Sequence, residues 1–153
     1  NQVEFAVVPA PTPEVIEAKK QGRVVLQMKE LPPAGAWESF PCCCIAGREE
    51  VIEKNPEAVK AYVRLLTAAS DWCQKNKMDA AAETADWLGL EPEVIAKAEM
   101  EFSTRVTKTW LKNAELYPEM LNRLGQLTGK LKDKKLSEVK DVVFDFRFTQ
   151  VDK

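Results

Sequence analysis

The chain of 153 residues contains no histidine, and this absence excludes several kinds of catalytic and metal site. Histidine is the commonest general base, the usual partner of a catalytic cysteine and a frequent zinc ligand. Of the four cysteines, three are adjacent at Cys42, Cys43 and Cys44, and only Cys73 lies elsewhere. No second cysteine pair completes a zinc motif, and adjacent cysteines fit disulfide geometry poorly. We therefore expect no metal, no cofactor and no disulfide scaffold.

The sequence also lacks an excess of basic charge and a long apolar run. Its formal net charge is -2, and the main basic cluster, at residues 130–135, is typical of a solvated helix end. Nucleic acids and anionic membranes bind clustered lysine and arginine, so neither is an expected partner. No stretch reaches the roughly 18 apolar residues that a membrane-spanning helix needs.

The N-terminal part of the chain has the pattern of a strand, a helix and a second strand. Residues 3–8, "VEFAVV", are β-branched and aromatic and are followed by prolines, which is typical of a buried strand. Thr12 as N-cap and Gly22 as a stop signal then predict a short helix. Residues 23–28 predict the second strand, so the pattern is that of a unit in a parallel sheet.

The cysteine triplet belongs to the apolar stretch "CCCIA" at residues 42–46. Free cysteine is among the most buried residue types, so this pattern predicts a strand buried on both faces. Alternation along a strand would place Cys42 and Cys44 on one face and Cys43 on the other, which prevents all three thiols from binding one metal. Buried thiols that react slowly are expected, and a reactive thiol site is the alternative hypothesis.

The rest of the chain predicts mainly amphipathic helices. Residues 55–76 form the clearest one, with an Asn-Pro start and apolar residues at helical spacing. A second helix is predicted from an N-cap at Asp79 to a stop at Gly89, a third from Pro92, and a fourth over residues 117–132.

Two stretches near the C-terminus do not follow the helical pattern. Residues 102–111 show no clear period and receive no assignment. Residues 142–148, "VVFDFRF", alternate, which predicts a strand with Phe144, Phe146 and Phe148 on one face.

Three stretches, "VEFAVVPAP", "GRVVL" and "FPCCCIAGREEVIEKNPEAVKAYVRLLTAASDWCQKN", carry a family resemblance. In this order and spacing they resemble the C-terminal half of ABC-transporter substrate-binding proteins of the nitrate, sulfonate, taurine and thiamine-precursor type. The last stretch is the most specific, because it is similar to the strand and helix that follow that family's second interlobe crossover. The stretches "GLEPEVI" and "VKDVVFDFRF" lie where the family has its final helices and C-terminal tail.

The resemblance implies an α/β fold, namely the helix-rich C-terminal part of a two-lobed periplasmic-binding-protein (type II) structure. Residues 1–38 would form part of the second lobe. Residues 39–153 would form the hinge strand and the C-terminal helices of the first lobe. The chain opens without methionine, so we expect it to be a piece of a longer protein whose N-terminal half is absent from this sequence.

The function implied by the resemblance is solute binding for an ABC importer, without enzymatic activity. Such a protein holds a small molecule in its interlobe cleft, is periplasmic or otherwise extracytoplasmic, and has a membrane permease as its partner. A chain with half the cleft would bind ligand weakly. Its unpaired sheet edges predict homodimers formed by strand exchange.

The resemblance places ligand contacts in two segments, at the tip of the first strand and at the crossover. The residues concerned are Pro9, Ala10, Pro11 and Thr12 in the first segment, and Ser39, Phe40 and Cys42 in the second. Ala10 stands where the family often has a glutamate or aspartate, so a charged contact to a ligand amine is missing. This departure favours an apolar or aromatic ligand, or an anion bound by main-chain N–H groups.

Two alternative functions stay open at this point. Thiamine-pyrimidine synthases share the implied two-lobed fold and carry "CCCFC" at the triplet, where the cysteines are associated with iron. Cys42, Cys43 and Cys44 match that motif, but Ala46 replaces its last cysteine. Those enzymes also need a histidine and a pyridoxal-phosphate lysine from their N-terminal half. The other alternative is an unrelated helical interaction domain.

Overall fold

Helices are almost the only regular secondary structure in the part of the chain that the structure describes. This structure, a computed structural model, describes residues 3–38, 42–98 and 100–150, and 57% of these residues are helical. The α-helices are α1 (Thr12–Ala18), α2 (Glu49–Lys54), α3 (Pro56–Lys75), α4 (Lys77–Leu88), α5 (Pro92–Ala96), α6 (Lys108–Ala114), α7 (Leu116–Arg123) and α8 (Leu136–Val143). Short 3-10 turns occupy Met28–Glu30, Gly129–Leu131 and Phe146–Phe148.

The predicted α/β fold is wrong, and with it the two-lobed architecture built on sheets. Within the described ranges there is no sheet, and 1% of the residues are in strand conformation. That residue is Val106, whose N–H donates to the carbonyl oxygen of Gln150 at 2.9 Å. The physical reason is pairing, because a short strand is stable only beside other strands over an apolar face.

Each predicted strand takes another form. Residues 3–8 and 23–27 are irregular, and Met28 begins a 3-10 turn. The N–H of Val24 donates to the Glu17 carboxylate at 2.8 Å rather than to a neighbouring strand. Residues 42–46 are irregular as well. The end of α8 and the 3-10 turn Phe146–Phe148 replace the predicted C-terminal strand.

The helices predicted from local end signals are confirmed, with shifts at some ends. Helix α3 occupies the predicted position, α4 ends at Gly89 with a φ of 65°, and α5 starts at Pro92. Asp79 lies in the first turn of α4 rather than at its N-cap, which is Asn76. In α1 the N-cap is Pro11 instead of Thr12, because the helical conformation starts one residue earlier.

The end of α1 and the fourth predicted helix also differ from expectation. Helix α1 is followed by Lys20 with a φ of 53°, so the chain leaves the helix before Gly22. The helix predicted over residues 117–132 is α7, which ends near Gly125, where φ is 66°. Helices α2, α6 and α8 were not predicted.

The chain divides into two compact units. Unit 1 consists of Asn1–Gln27 and Ala68–Ser103, and unit 2 consists of Met28–Thr67 and Thr104–Lys153. Helix α3 therefore contributes residues to both units. The domain division between residues 38 and 39 stays a prediction.

Unit 1 has a small core where α4 and α5 pack together. Ala81 and Ala85 lie one turn apart on α4 and are buried with Ile95 of α5. Their small side chains allow the two helices to approach closely. The chain reverses between the helices at Gly89, whose positive φ suits glycine, and the N–H of Leu90 donates to the Ala85 carbonyl at 3.2 Å.

Unit 2 is connected by side chains that bind backbone groups of distant segments. The Glu115 carboxylate, between α6 and α7, accepts from the N–H of Leu136 at 2.7 Å and from that of Ser137 at 3.3 Å. These N–H groups belong to the first turn of α8, where helical partners are lacking and negative charge is favourable. The buried Asn113 side chain likewise donates to the Glu38 carbonyl oxygen.

We expect replacement of Glu115 by alanine to lower the free energy of unfolding by about 1–2 kcal/mol, as for loss of a helix cap. Glu115→Gln keeps an acceptor but loses the charge, so its effect should be smaller. Urea unfolding followed by circular dichroism measures both changes. The control is Glu83→Ala, at an exposed position of α4, and equal midpoints for Glu115→Ala and Glu83→Ala would contradict the capping role.

Candidate functional site

The first candidate segment, residues 9–12, forms the turn that leads into α1. The N–H of Thr12 donates to the Pro9 carbonyl at 3.0 Å, and the N–H of Val15 donates to the Pro11 carbonyl at 3.1 Å. Pro9, Ala10 and Thr12 are exposed, whereas Pro11 is half-buried. The segment is thus accessible to a ligand, but it starts a helix instead of ending a strand.

A carboxylate that sequence reasoning missed lies in the first turn of α1. Glu14 is half-buried, and its Oε2 atom is shielded from solvent without a hydrogen-bond partner among the described residues. A negative charge is favourable at this end of a helix, but a shielded oxygen still requires a donor. The position of Glu14 in the sequence does not reveal that shielding, which depends on packing.

The second candidate segment is described only in part. Ser39 and Phe40 lie outside the described residues, so their predicted contacts stay predictions. Cys42 is exposed, as are Cys43 and Cys44, and Ile45 is 53% exposed. The predicted buried strand at residues 42–46 is therefore wrong, because no neighbouring strand within the described ranges covers it.

The thiols of the triplet interact with one another. The Sγ atoms of Cys42 and Cys43 lie 3.7 Å apart, within the distance of a hydrogen bond between sulfur atoms. This hydrogen bond raises the pKa of the Cys42 thiol, and the negative charge of a Cys43 thiolate adds to the effect. The two adjacent thiols therefore resist ionising together.

Tyr117 of α7 lies within electrostatic reach of the triplet. Burial raises the pKa of its phenol, and the charges of the Cys42, Cys43 and Cys44 thiolates raise it further. Sequence reasoning missed this neighbour, because the triplet and α7 are far apart along the chain and no motif links them. Only the folding of unit 2 places Tyr117 near the thiols.

The described residues contain no group of three or more cysteine, aspartate, glutamate or histidine side chains arranged to hold a metal ion. The three adjacent thiols accordingly do not converge as a ligand set. The triplet instead consists of three exposed thiols, and the Sγ atoms of Cys42 and Cys43 lie close together.

A comparison with known proteins identifies the family. A family model described as the NMT1-like family matches residues 1–89, which is more than half of the chain. The chain belongs to the NMT1-like family. The match includes the turn at residues 9–12 and the cysteine triplet. No curated protein and no solved structure matches the chain.

Membership of the NMT1-like family confirms the family resemblance. This family consists mostly of substrate-binding proteins, which are not enzymes and are typically extracytoplasmic. The subtype, whether for nitrate, sulfonate, taurine or a thiamine precursor, stays a prediction. None of the described helices is both long enough and apolar enough to cross a membrane.

Exposure of the triplet reverses the expected reactivity of its thiols. We expect iodoacetamide to alkylate residues 42–44 of the native protein before it alkylates Cys73, which is half-buried in α3. Peptide mass spectrometry over a time course measures the order of labelling, with Cys73→Ser as a control for its assignment. Labelling of Cys73 first would contradict the exposed triplet.

The phenol of Tyr117 should report the charge of the triplet. Replacing all three cysteines by serine removes the thiolates, so the pKa of Tyr117 should fall, yet stay above the ordinary value of 10.0 because burial remains. Ultraviolet absorbance of the phenolate measures this in a Tyr62→Phe background, which leaves one tyrosine. An unchanged pKa would contradict the electrostatic contact.

The same shift predicts a pH dependence of stability. Because folding raises the pKa of Tyr117, the folded state holds the phenolic proton more tightly than the unfolded state does. Its contribution to stability is complete below the unfolded pKa of about 10 and is lost as pH rises through the folded value. Urea midpoints measured across this range should fall less steeply in Tyr117→Phe.

Proposed function

We propose that this chain belongs to the solute-binding component of an ABC importer, which captures a small molecule outside the cytoplasmic membrane and presents it to a permease. The observation that carries this proposal is the match to the NMT1-like family over residues 1–89. Binding is proposed rather than catalysis because the family is mostly non-enzymatic and because this sequence has no histidine for proton transfer.

The proposed ligand contacts are those of the two candidate segments. In unit 1, exposure of Pro9, Ala10 and Thr12 supports a role for the turn before α1. In unit 2, exposure of Cys42 supports a role for the segment that begins at Ser39 and Phe40. Because Ala10 adds no charge, the proposed ligand is apolar, aromatic or anionic.

We expect one of these ligand classes to stabilise the protein against heat. A ligand that binds only the folded state at about 100 times its Kd adds about 2.7 kcal/mol of stability. Thermal-shift measurements with nitrate, sulfonates, pyrimidines and aromatic carboxylates test this expectation. Absence of stabilisation by all four classes would contradict solute binding of the proposed kind.

A charge at Ala10 should identify the first contact segment. For an anionic ligand, Ala10→Glu should abolish the thermal shift, because the new carboxylate repels the ligand. Ala82→Glu makes the same change at an exposed position of α4 and should leave the shift intact. An equal shift in both variants would remove the turn from the proposed site while leaving the ligand identified.

We also propose that the chain forms homodimers through its exposed apolar segments in unit 1. Phe5 is 77% exposed, Val7 is 92% exposed and Val25 is 62% exposed. Contact between two copies would remove this apolar surface from water, which is favourable by roughly 25 cal/mol per Å².

Light scattering should detect a species larger than the 17.2 kDa monomer. Combined replacement of Val7 and Val25 by lysine should shift the protein towards the monomer, whereas Val142→Lys, at an exposed position of α8, should not. A monomer at every concentration would contradict self-association, and it would leave the ligand proposal intact.

A further inference from the structure

Cys42 and Cys43 are both exposed, and their thiols lie within hydrogen-bonding distance of each other. Their sulfur atoms are 3.7 Å apart, whereas a disulfide bond is about 2.05 Å long. Side-chain rotation within an exposed, irregular segment can supply most of the approach. The neighbouring Cys44 is exposed too, so solvent-borne reagents reach the whole triplet.

We propose that Cys42 and Cys43 form a redox-active dithiol, which low-molecular-weight disulfides oxidise to an intramolecular disulfide and small dithiols reduce. The pair shares Cys42 with the proposed ligand contacts, but its oxidation does not require solute binding. It requires two accessible thiols in proximity, and the geometry of the triplet provides both.

The oxidation consists of two thiol–disulfide exchanges. One cysteine loses its proton to solvent and attacks a sulfur of the small disulfide, forming a mixed disulfide and releasing one small thiolate. The second cysteine also loses its proton and attacks the protein sulfur of that mixed disulfide, which releases the other small thiolate. The two released thiolates take up the two protons, so two protein thiols are oxidised while one small disulfide is reduced to two thiols.

The geometry favours a bond that is easily reduced over a permanent crosslink. Consecutive Cα atoms are about 3.80 Å apart, whereas cysteines in disulfides usually have Cα atoms about 4.4–6.8 Å apart. A disulfide between adjacent residues is therefore strained, and strained or exposed disulfides are the labile ones. This strain also explains why the pair suits reversible modification although it is unsuited to a structural disulfide.

The experiment treats the native chain with glutathione disulfide, stops the exchange with acid and alkylates the remaining thiols. Trypsin then releases residues 30–48, a peptide that contains the triplet without Cys73. In the wild type we expect this peptide to lose the mass of two hydrogens and to carry one alkylated cysteine. A dithiol reductant should restore three alkylated cysteines.

Three single variants identify the pair. Cys42→Ser and Cys43→Ser should both lose the intramolecular disulfide and keep the glutathione adduct, whereas Cys44→Ser should form the disulfide as the wild type does. Cys73→Ser is the matched control and should behave like the wild type. Circular dichroism confirms that each variant retains its helices.

Two results would overturn the proposal. The first is a wild-type peptide that carries only glutathione adducts, which would mean that the adjacent thiol does not resolve them. The second is an intramolecular disulfide in Cys43→Ser or in Cys42→Ser, which would assign the reaction to another pair of the triplet.

Discussion

Backbone hydrogen bonding is the constraint on which the described structure depends. A helix pairs its N–H and C=O groups within its own segment, whereas a strand needs a neighbour. The described residues provide helices but no sheet. Regular structure therefore occurs where local pairing is sufficient, and residues 3–7 and 23–27, which have strand-like composition, lie exposed without strand pairing.

Backbone hydrogen bonding also determines how individual helices begin and end. Gly89 ends α4 with a left-handed conformation, and the Glu115 carboxylate binds the free N–H groups at the start of α8. Among the described residues, few large side chains are buried, and the buried hydrophobic residues are Ala81, Ala85, Ile95, Ala98, Val106, Ala114 and Leu136. Polar contacts also connect distant segments of unit 2, as those of Glu115 and Asn113 do.

Exposure also changes the interpretation of the cysteine triplet. Three thiols in a buried strand would be unreactive. Exposed thiols can react with reagents in solvent and with one another. Their electrostatic contact with Tyr117 connects the triplet to α7 within unit 2. The proposed solute binding and the proposed oxidation of the triplet rest on different observations, so each can be tested without the other.

Local signals in the sequence allowed several helices to be predicted. Gly89 ends α4 and Pro92 starts α5, and each acts on neighbouring residues only. The apolar period of α3 likewise lies within one segment. The positions of these helices could therefore be predicted without tertiary information. Helix α6 also has a local start signal, because the side chain of its N-cap, Thr107, accepts from the Trp110 N–H at 3.0 Å. This helix was not predicted because its residues show no clear apolar period.

By itself the sequence determined the family and the helices with local end signals. Tertiary structure alone decided whether residues 42–46 were buried, because burial of a strand depends on neighbours that its own residues do not specify. It also decided which group binds the first N–H groups of α8, namely the Glu115 carboxylate, 21 residues before Leu136. Local composition reports the conformations that a segment can adopt, and the contacts supplied by distant residues select among them.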